Sequence, residues 1–129
     1  MNNGKKKYGL AKNEIIRRSE DISAIFQKGR FLRGRSFDVV FINGLARQVA
    51  FAATKRIRTA VERNRIKRLL REAFRLEKEN FHTPTQLVLI GHDNILQAHL
   101  DDLRSEMRNM AAKIDTLALN ESQRKGNRN

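Results

Sequence analysis

The sequence predicts a single α+β domain. The chain has 129 residues, and two independent cores of about 65 residues each would lie near the lower limit for autonomous folding. Bulky apolar residues alternate along residues 37–41 and 49–53, a pattern typical of strands, whereas residues 60–117 carry apolar side chains mostly at helical spacing. Strands and helices in one short chain indicate a mixed fold.

A short first helix is predicted over residues 20–28. Ser19 is its predicted N-cap, because two acidic residues follow in the first turn, where the helix dipole favours negative charge. Gly29 is predicted to end the helix. One apolar stripe is formed by Ile22, Ile25 and Phe26.

The two alternating segments are predicted to pair as a β-hairpin. Asn43-Gly44 lies between them, and this dipeptide favours a tight hairpin turn. A strict two-residue loop would place the bulky residues of the two strands on opposite faces of the sheet. We therefore expect an odd-numbered connection or a bulge, so that Phe37, Phe41 and Phe51 are buried together.

A second helix is predicted from Ala60 to Lys78 or Glu79. Thr59 and Glu62 have the spacing of a capping box at its start, and Asn80 is the predicted left-handed stop. On a helical wheel the apolar residues gather on one side. The other side carries Arg63, Asn64, Lys67, Arg68, Arg71 and Arg75, and Arg65 and Glu72 lie between the two faces.

One strand and one long helix complete the predicted domain. Residues 86–90 form a short apolar strand, and from Asn94 seven apolar residues step alternately by four and three over some 25 residues. We expect this stripe to pack within the domain, with a dimeric coiled coil as the alternative. Residues 1–12 and 120–129 are predicted to be flexible tails, which leaves one domain over residues 13–119.

The positive charge is concentrated in one segment. The chain has a net charge of +13 and a pI near 11.1, and residues 55–75 hold nine basic residues against two acidic ones. Like charges four residues apart on a helix repel each other, so an external polyanion must compensate. Phosphate is the natural candidate, because arginine pairs with it bidentately and binding releases counterions. The helix face alone does not distinguish RNA, DNA or an anionic membrane surface.

Residues 49–75, VAFAATKRIRTAVERNRIKRLLREAFR, resemble the signature of the bacterial ribonuclease P protein component, whose hallmark Arg-Asn-Arg occurs here as Arg63-Asn64-Arg65. The resemblance extends over roughly residues 10–117. It implies an α/β sandwich in which a sheet of about four strands packs against a central basic helix, with a short N-terminal and a long C-terminal helix. Two positions depart from the family pattern: Arg58 stands where a glycine is frequent, and Ile22 where an aromatic residue is frequent.

The resemblance also implies the site residues. A cleft for the 5′ leader of precursor tRNA is implied at Phe26, Ala50, Ala52, Thr54, Lys55 and Arg56. Contacts with the catalytic RNA and the edge of that cleft are implied for Arg63, Asn64, Arg65, Lys67, Arg68 and Arg71. The implied activity is that of a ribonuclease P subunit, in which the RNA binds catalytic magnesium and removes the leader while the protein binds both RNAs.

The residues themselves indicate no catalytic or metal site on the protein. A two-metal hydrolase needs converging carboxylates, whereas the acidic residues here are scattered and His82, His92 and His99 lack metal-ligand spacing. We therefore expect no cofactor bound by the protein and magnesium in the RNA-containing holoenzyme. Two alternatives are a ribosomal or other structural RNA-binding protein and a helix-turn-helix DNA-binding regulator, the latter disfavoured because no short helix and tight turn precede the basic helix.

The composition also gives an expected location. Cysteine is absent, which excludes disulfides and cysteine-ligated metal sites. No apolar run approaches the roughly 20 residues that span a bilayer, and no apolar stretch follows the lysines near the N-terminus. We expect a cytoplasmic monomer with no membrane association.

Overall fold

A computed structural model describes the backbone of residues 9–126 and the side chains of residues 9–121. The predicted α+β class is confirmed: a four-stranded mixed sheet lies between helices. The helices are α1 (Ser19–Lys28), α2 (Ala60–Glu77) and α3 (Leu100–Gly126), and the strands are β1 (Arg30–Leu32), β2 (Phe37–Asn43), β3 (Gln48–Ala53) and β4 (Thr85–Gly91). Short 3-10 segments cover Lys12–Glu14, Lys78–Asn80 and Asp93–Gln97.

The strand order is β1-β2-β4-β3, so the predicted hairpin is wrong. β4 lies between β2 and β3, antiparallel to β2 and parallel to β3. Leu87 of β4 faces Phe41 on one side and Val49 on the other. The two bulky sets do share one buried face, as expected, but they share it through β4 and not through a direct pairing with an odd-numbered connection.

The conformation of the predicted turn and the apolar character of β4 explain why β2 and β3 do not pair directly. A tight Asn-Gly hairpin turn requires positive φ at its central residues, and none of the described residues has a positive φ. Gly44 instead donates its N–H to the Pro84 carbonyl, 2.8 Å away, just before β4 begins. Leu87, Val88 and Leu89 are each at most 1% exposed, and a strand this apolar on both faces is most stable with a neighbour on either side.

One face of the sheet carries the main core. Phe37, Phe41 and Leu89 of the sheet pack with residues of α2 and α3. The heptad stripe of α3 turns inward, with Leu103, Met107, Met110 and Ile114 buried, which confirms packing within the domain. Gly91 allows α2 to approach β4, because a Cβ there would overlap Cγ2 of Ile66.

The opposite face, which we call the open face, is partly covered by α1. Ile25 of α1 packs with Val40, Ala50 and Val88 of the sheet, and Ile16 joins them. Ile22, Ile42, Ala52 and Ile90 remain only partly buried around this cluster. α1 therefore leaves part of the sheet accessible.

Several predicted element ends differ in detail. Ser19 is the first residue of α1, not its cap; Arg18 occupies that position and no side chain caps the helix. Asn80 is not left-handed; it ends a 3-10 turn and its amide donates to the Glu77 carbonyl. Residues 94–97 belong to a 3-10 segment, so the last helix starts at Leu100 and not at Asn94.

The predicted tails overlap the described chain at both ends. Residues 9–12 are described, and Leu10 packs against the main core. The 3-10 segment Lys12–Glu14 is anchored by Lys78, which is 4% exposed and forms an ion pair of 3.3 Å with Glu14. Burial raises the pKa of Glu14, but hydrogen bonds from the Ala11 N–H, Arg47 and Lys78 outweigh it and hold the pKa below its usual value. α3 continues to Gly126, beyond the predicted domain end at residue 119; residues 1–8 and 127–129 lie outside the described residues.

Candidate nucleic-acid interface

The outer face of α2 presents a row of unpartnered polar side chains. Thr59 starts the helix by accepting the Glu62 N–H at 3.2 Å, and Ile66, Leu70 and Phe74 bury the opposite side. This anchoring confirms the two faces of the wheel analysis, except that Arg65, predicted to lie between them, is exposed with the outer face. Five side chains are exposed and form no hydrogen bond or ion pair within the described chain: Asn64, Arg65, Lys67, Arg68 and Arg71.

Two basic residues of α2 are engaged by the protein itself. Arg63 is half-buried, and its Nη1 donates to the carbonyls of Ile57 and Arg58 at 2.9 and 3.0 Å. Arg75 pairs with Glu72 at 2.7 Å, and that hydrogen bond is the main reason why the pKa of Glu72 is lowered. Arg63 therefore holds the connection between β3 and α2, and the charge of Arg75 is already balanced by Glu72.

The implied leader residues lie on or beside the open face. Phe26 projects from α1 with 49% of its surface exposed. Ala52 and Thr54 are half-buried, whereas Ala50 is 5% exposed beneath the α1 cluster and is not available to a ligand. Ala52 packs against the cluster on the open face, and Thr54 is the first residue after β3.

The connection between β3 and α2 joins the two surfaces. Lys55 and Arg56 are exposed there, just after Thr54 and just before the basic helix. Thr54 fixes this connection to the sheet, since its N–H donates to the Gly91 carbonyl at 3.0 Å. Arg58 is exposed, and because it has no positive φ, the absence of the family's frequent glycine causes no backbone strain.

Sequence reasoning missed strand β1 and its aromatic residue. β1 has only three residues, too short for an alternation to be recognised, and it pairs with β2 at the sheet edge. Phe31 lies opposite Val40, a residue of the open face, and is 53% exposed. The open face therefore has two exposed aromatic side chains at its margin, Phe26 and Phe31.

A histidine–aspartate pair was also missed. His92 Nε2 lies 2.9 Å from Asp38 Oδ2, and Nδ1 lies 3.2 Å from the Arg35 carbonyl. Burial lowers the pKa of His92, but the hydrogen bonds to Asp38 and to that carbonyl, with the charges of Asp38 and Glu106, raise it overall. His92 and Asp38 are 54 residues apart in the sequence, so no local spacing could reveal the pair.

No group of three or more acidic, histidine or cysteine side chains is arranged to hold a metal ion within residues 9–121, where side chains are described. No helix within residues 9–126 has the length and apolar character needed to cross a membrane.

Comparison with known proteins identifies the family. The family model for ribonuclease P matches residues 10–115, most of the chain. The chain belongs to the ribonuclease P protein family. A relative named ribonuclease P protein component, from Syntrophus aciditrophicus (strain SB), is 36% identical over 104 residues, covering 79% of this chain and 87% of that protein. Another with the same name, from Finegoldia magna, is 30% identical over 105 residues, 81% of this chain and 93% of that protein.

Solved structures share the fold of this ribonuclease P family member. The ribonuclease P protein from Thermotoga maritima has a TM-score of 0.68 at 24% identity, over 78% of this chain and 96% of that one. The α/β sandwich implied by the sequence resemblance is thereby confirmed. The helix-turn-helix alternative is wrong for α2, because three strands separate it from α1.

Proposed function

We propose that this chain is the protein subunit of ribonuclease P, which binds the catalytic RNA and the 5′ leader of precursor tRNA so that the leader is removed. The observation that carries the proposal is the outer face of α2. Four cations and one amide are exposed on this face without a partner in the described chain. Repulsion among the four cations disfavours the helix. RNA phosphates relieve that repulsion and pair with arginine forks.

The roles of the α2 residues follow from their contacts. Arg65, Lys67, Arg68 and Arg71 neutralise phosphates of the catalytic RNA, and Asn64 supplies an amide that can both donate and accept hydrogen bonds. Arg63 acts mainly as a positioning residue, because its guanidinium holds the carbonyls of Ile57 and Arg58.

The open face is the proposed leader site. An unpaired strand can lie across the half-buried Ala52 and Thr54 and stack a base on Phe26. Lys55 and Arg56 then neutralise leader phosphates at the end of β3, beside the basic helix. Because the same connection leads into α2, leader and catalytic RNA would be held on adjoining surfaces of one rigid domain.

We propose that the RNA, with its magnesium, performs the cleavage, and that the protein acts as a cytoplasmic monomer. Hydrolysis of the phosphodiester in this scheme uses no protein side chain. The protein contributes charge neutralisation and orientation of the leader relative to the cutting site.

The deciding experiment is reconstitution with a bacterial ribonuclease P RNA at low magnesium. We expect the chain to restore leader cleavage, and log K for the RNA to fall with log salt at a slope of about −3 to −4 if four to six phosphates are neutralised. No restoration, or a flat salt response, would refute the proposal.

Leader binding is tested by comparing two substrates. In the presence of the RNA subunit, precursor tRNA should bind more tightly than mature tRNA. Equal affinity would instead favour a structural RNA-binding role without leader recognition.

A further inference from the structure

A groove on the outer side of α2 combines cations with apolar side chains. Val61, Arg65 and Leu69 follow one another at four-residue spacing along one line of the helix, and Arg68 and Arg71 lie beside them in the same groove. The remaining lining residues are Asn64, Glu72 and Arg75, and the two of them that are charged pair with each other. Carbon atoms make up more of the accessible lining than polar atoms do. Val61 is 78% exposed, whereas Leu69 is half-buried and touches the main core.

Phosphate binding does not account for this composition. Phosphate oxygens pair with guanidinium and ammonium groups, and an exposed valine among them adds nothing to that pairing. The fold does not require the valine either, because its side chain is largely outside the core. The apolar floor therefore fits a ligand that presents an apolar surface together with negative charge.

We propose that this groove receives one unpaired nucleotide of the bound RNA, whose base packs on Val61 and Leu69 while Arg68 or Arg71 pairs with its phosphate. This inference rests on the proposed function. In a paired A-form stem the base faces are stacked inside the helix, so only an unpaired nucleotide can offer a base face. Arg65 lies between the two apolar residues, where its planar guanidinium can stack on the same base.

The test uses Val61→Ser, with Leu45→Ser as the matched control. Leu45 is fully exposed, at 103% relative accessibility, and lies in the connection between β2 and β3. We expect Val61→Ser to weaken binding of a bacterial ribonuclease P RNA about five- to tenfold, from the loss of apolar contact. The slope of log K against log salt should stay unchanged, because no ionic contact is removed. Leu45→Ser should bind as the unaltered chain does.

Chemical probing of the RNA gives a second readout. Val61→Ser should lose protection of one unpaired base while protection of the backbone elsewhere persists, and Val61→Leu should keep that protection. If Val61→Ser binds and protects the RNA as the unaltered chain does, the inference is overturned, and the groove would then suit a protein partner. If the unaltered chain shows no salt-dependent affinity for the RNA, the proposed function itself fails.

Discussion

Arg104 of α3 donates from Nε to Oε2 of Glu77 of α2 across 2.6 Å, and this carboxylate is 4% exposed. Arg108 reaches the same oxygen at 3.0 Å, and the Asn80 amide donates to the other oxygen at 2.9 Å. The two helices that cover the main core are therefore joined through one buried acid.

Arg104→Ala should lower the free energy of unfolding by about 1.5–3 kcal/mol, since it removes a hydrogen bond to a buried charge. Removing Arg108 as well should cost about 3–5 kcal/mol, because the carboxylate then lacks both cations. Urea unfolding measures both. Lys113→Ala, an exposed cation of α3 without a partner in the described chain, should stay within about 0.5 kcal/mol; an equal loss there would contradict the role of Glu77.

RNA affinity should separate the basic helix from α3. Arg68→Ala should reduce the steepness of the salt dependence by about 0.7–0.9 per lost phosphate contact, since Arg68 has no partner in the described chain. Lys113→Ala is the matched control and should leave slope and affinity unchanged. Equal changes in the two variants would show that charge in general, and not the face of α2, binds the RNA.

Thr59→Ala should destabilise the protein by about 1 kcal/mol, because its hydroxyl accepts the Glu62 N–H and caps α2. Ser19→Ala should cost much less, since Ser19 is already inside α1 and caps nothing. Comparing the two urea midpoints tests the capping geometry, and a larger loss at Ser19 would show that the assignment is reversed.

Local patterns predicted the helices and strands better than the strand order. The cap at Thr59 and the two faces of α2 depend on residues three or four positions apart, which the sequence displays directly. The pairing of Phe41 with Leu87 joins residues far apart in the chain and depends on competition among all apolar strands for the centre of the sheet. A convincing Asn-Gly turn could not reveal that β4 inserts between its neighbours.

In the candidate site, too, the features that depend on local sequence were predicted and those that depend on tertiary contacts were not. The charge pattern of α2 identified its outward side, but not that Arg63 turns back to the carbonyl of Ile57. The resemblance supplied Phe26, yet the half-covered sheet face beside it needs α1 to cross the sheet, a tertiary event. Phe31 was missed because a three-residue strand has no periodicity to read.

Phe26→Ala should weaken binding of precursor tRNA by about 1–3 kcal/mol, the worth of one stacked base. Mature tRNA lacks the leader, so its affinity should not change. Binding of both tRNAs with the RNA subunit present measures the difference, and Leu45→Ala provides an exposed apolar control elsewhere on the surface. If both tRNAs lose affinity equally, Phe26 does not contact the leader.

His92 should make stability fall as pH rises above about 6.5. Both ring nitrogens face acceptor oxygens, of Asp38 and of the Arg35 carbonyl, and Glu106 adds negative charge, so the pKa in the folded protein lies above 6.5. A raised pKa gives stability that is fully present below about 6.5 and is lost as pH rises through the folded value.

The measurement is urea unfolding at several pH values from 6 to 9. His92→Gln should abolish the decline across this range, whereas His82→Gln, at an exposed position outside the pair, should retain it. Glu14 acts in a separate window, because its lowered pKa gives stability above 4.5 that is lost only as pH falls further. A decline that persists in His92→Gln would mean that another group titrates in this range and that His92 is not the source of the pH dependence.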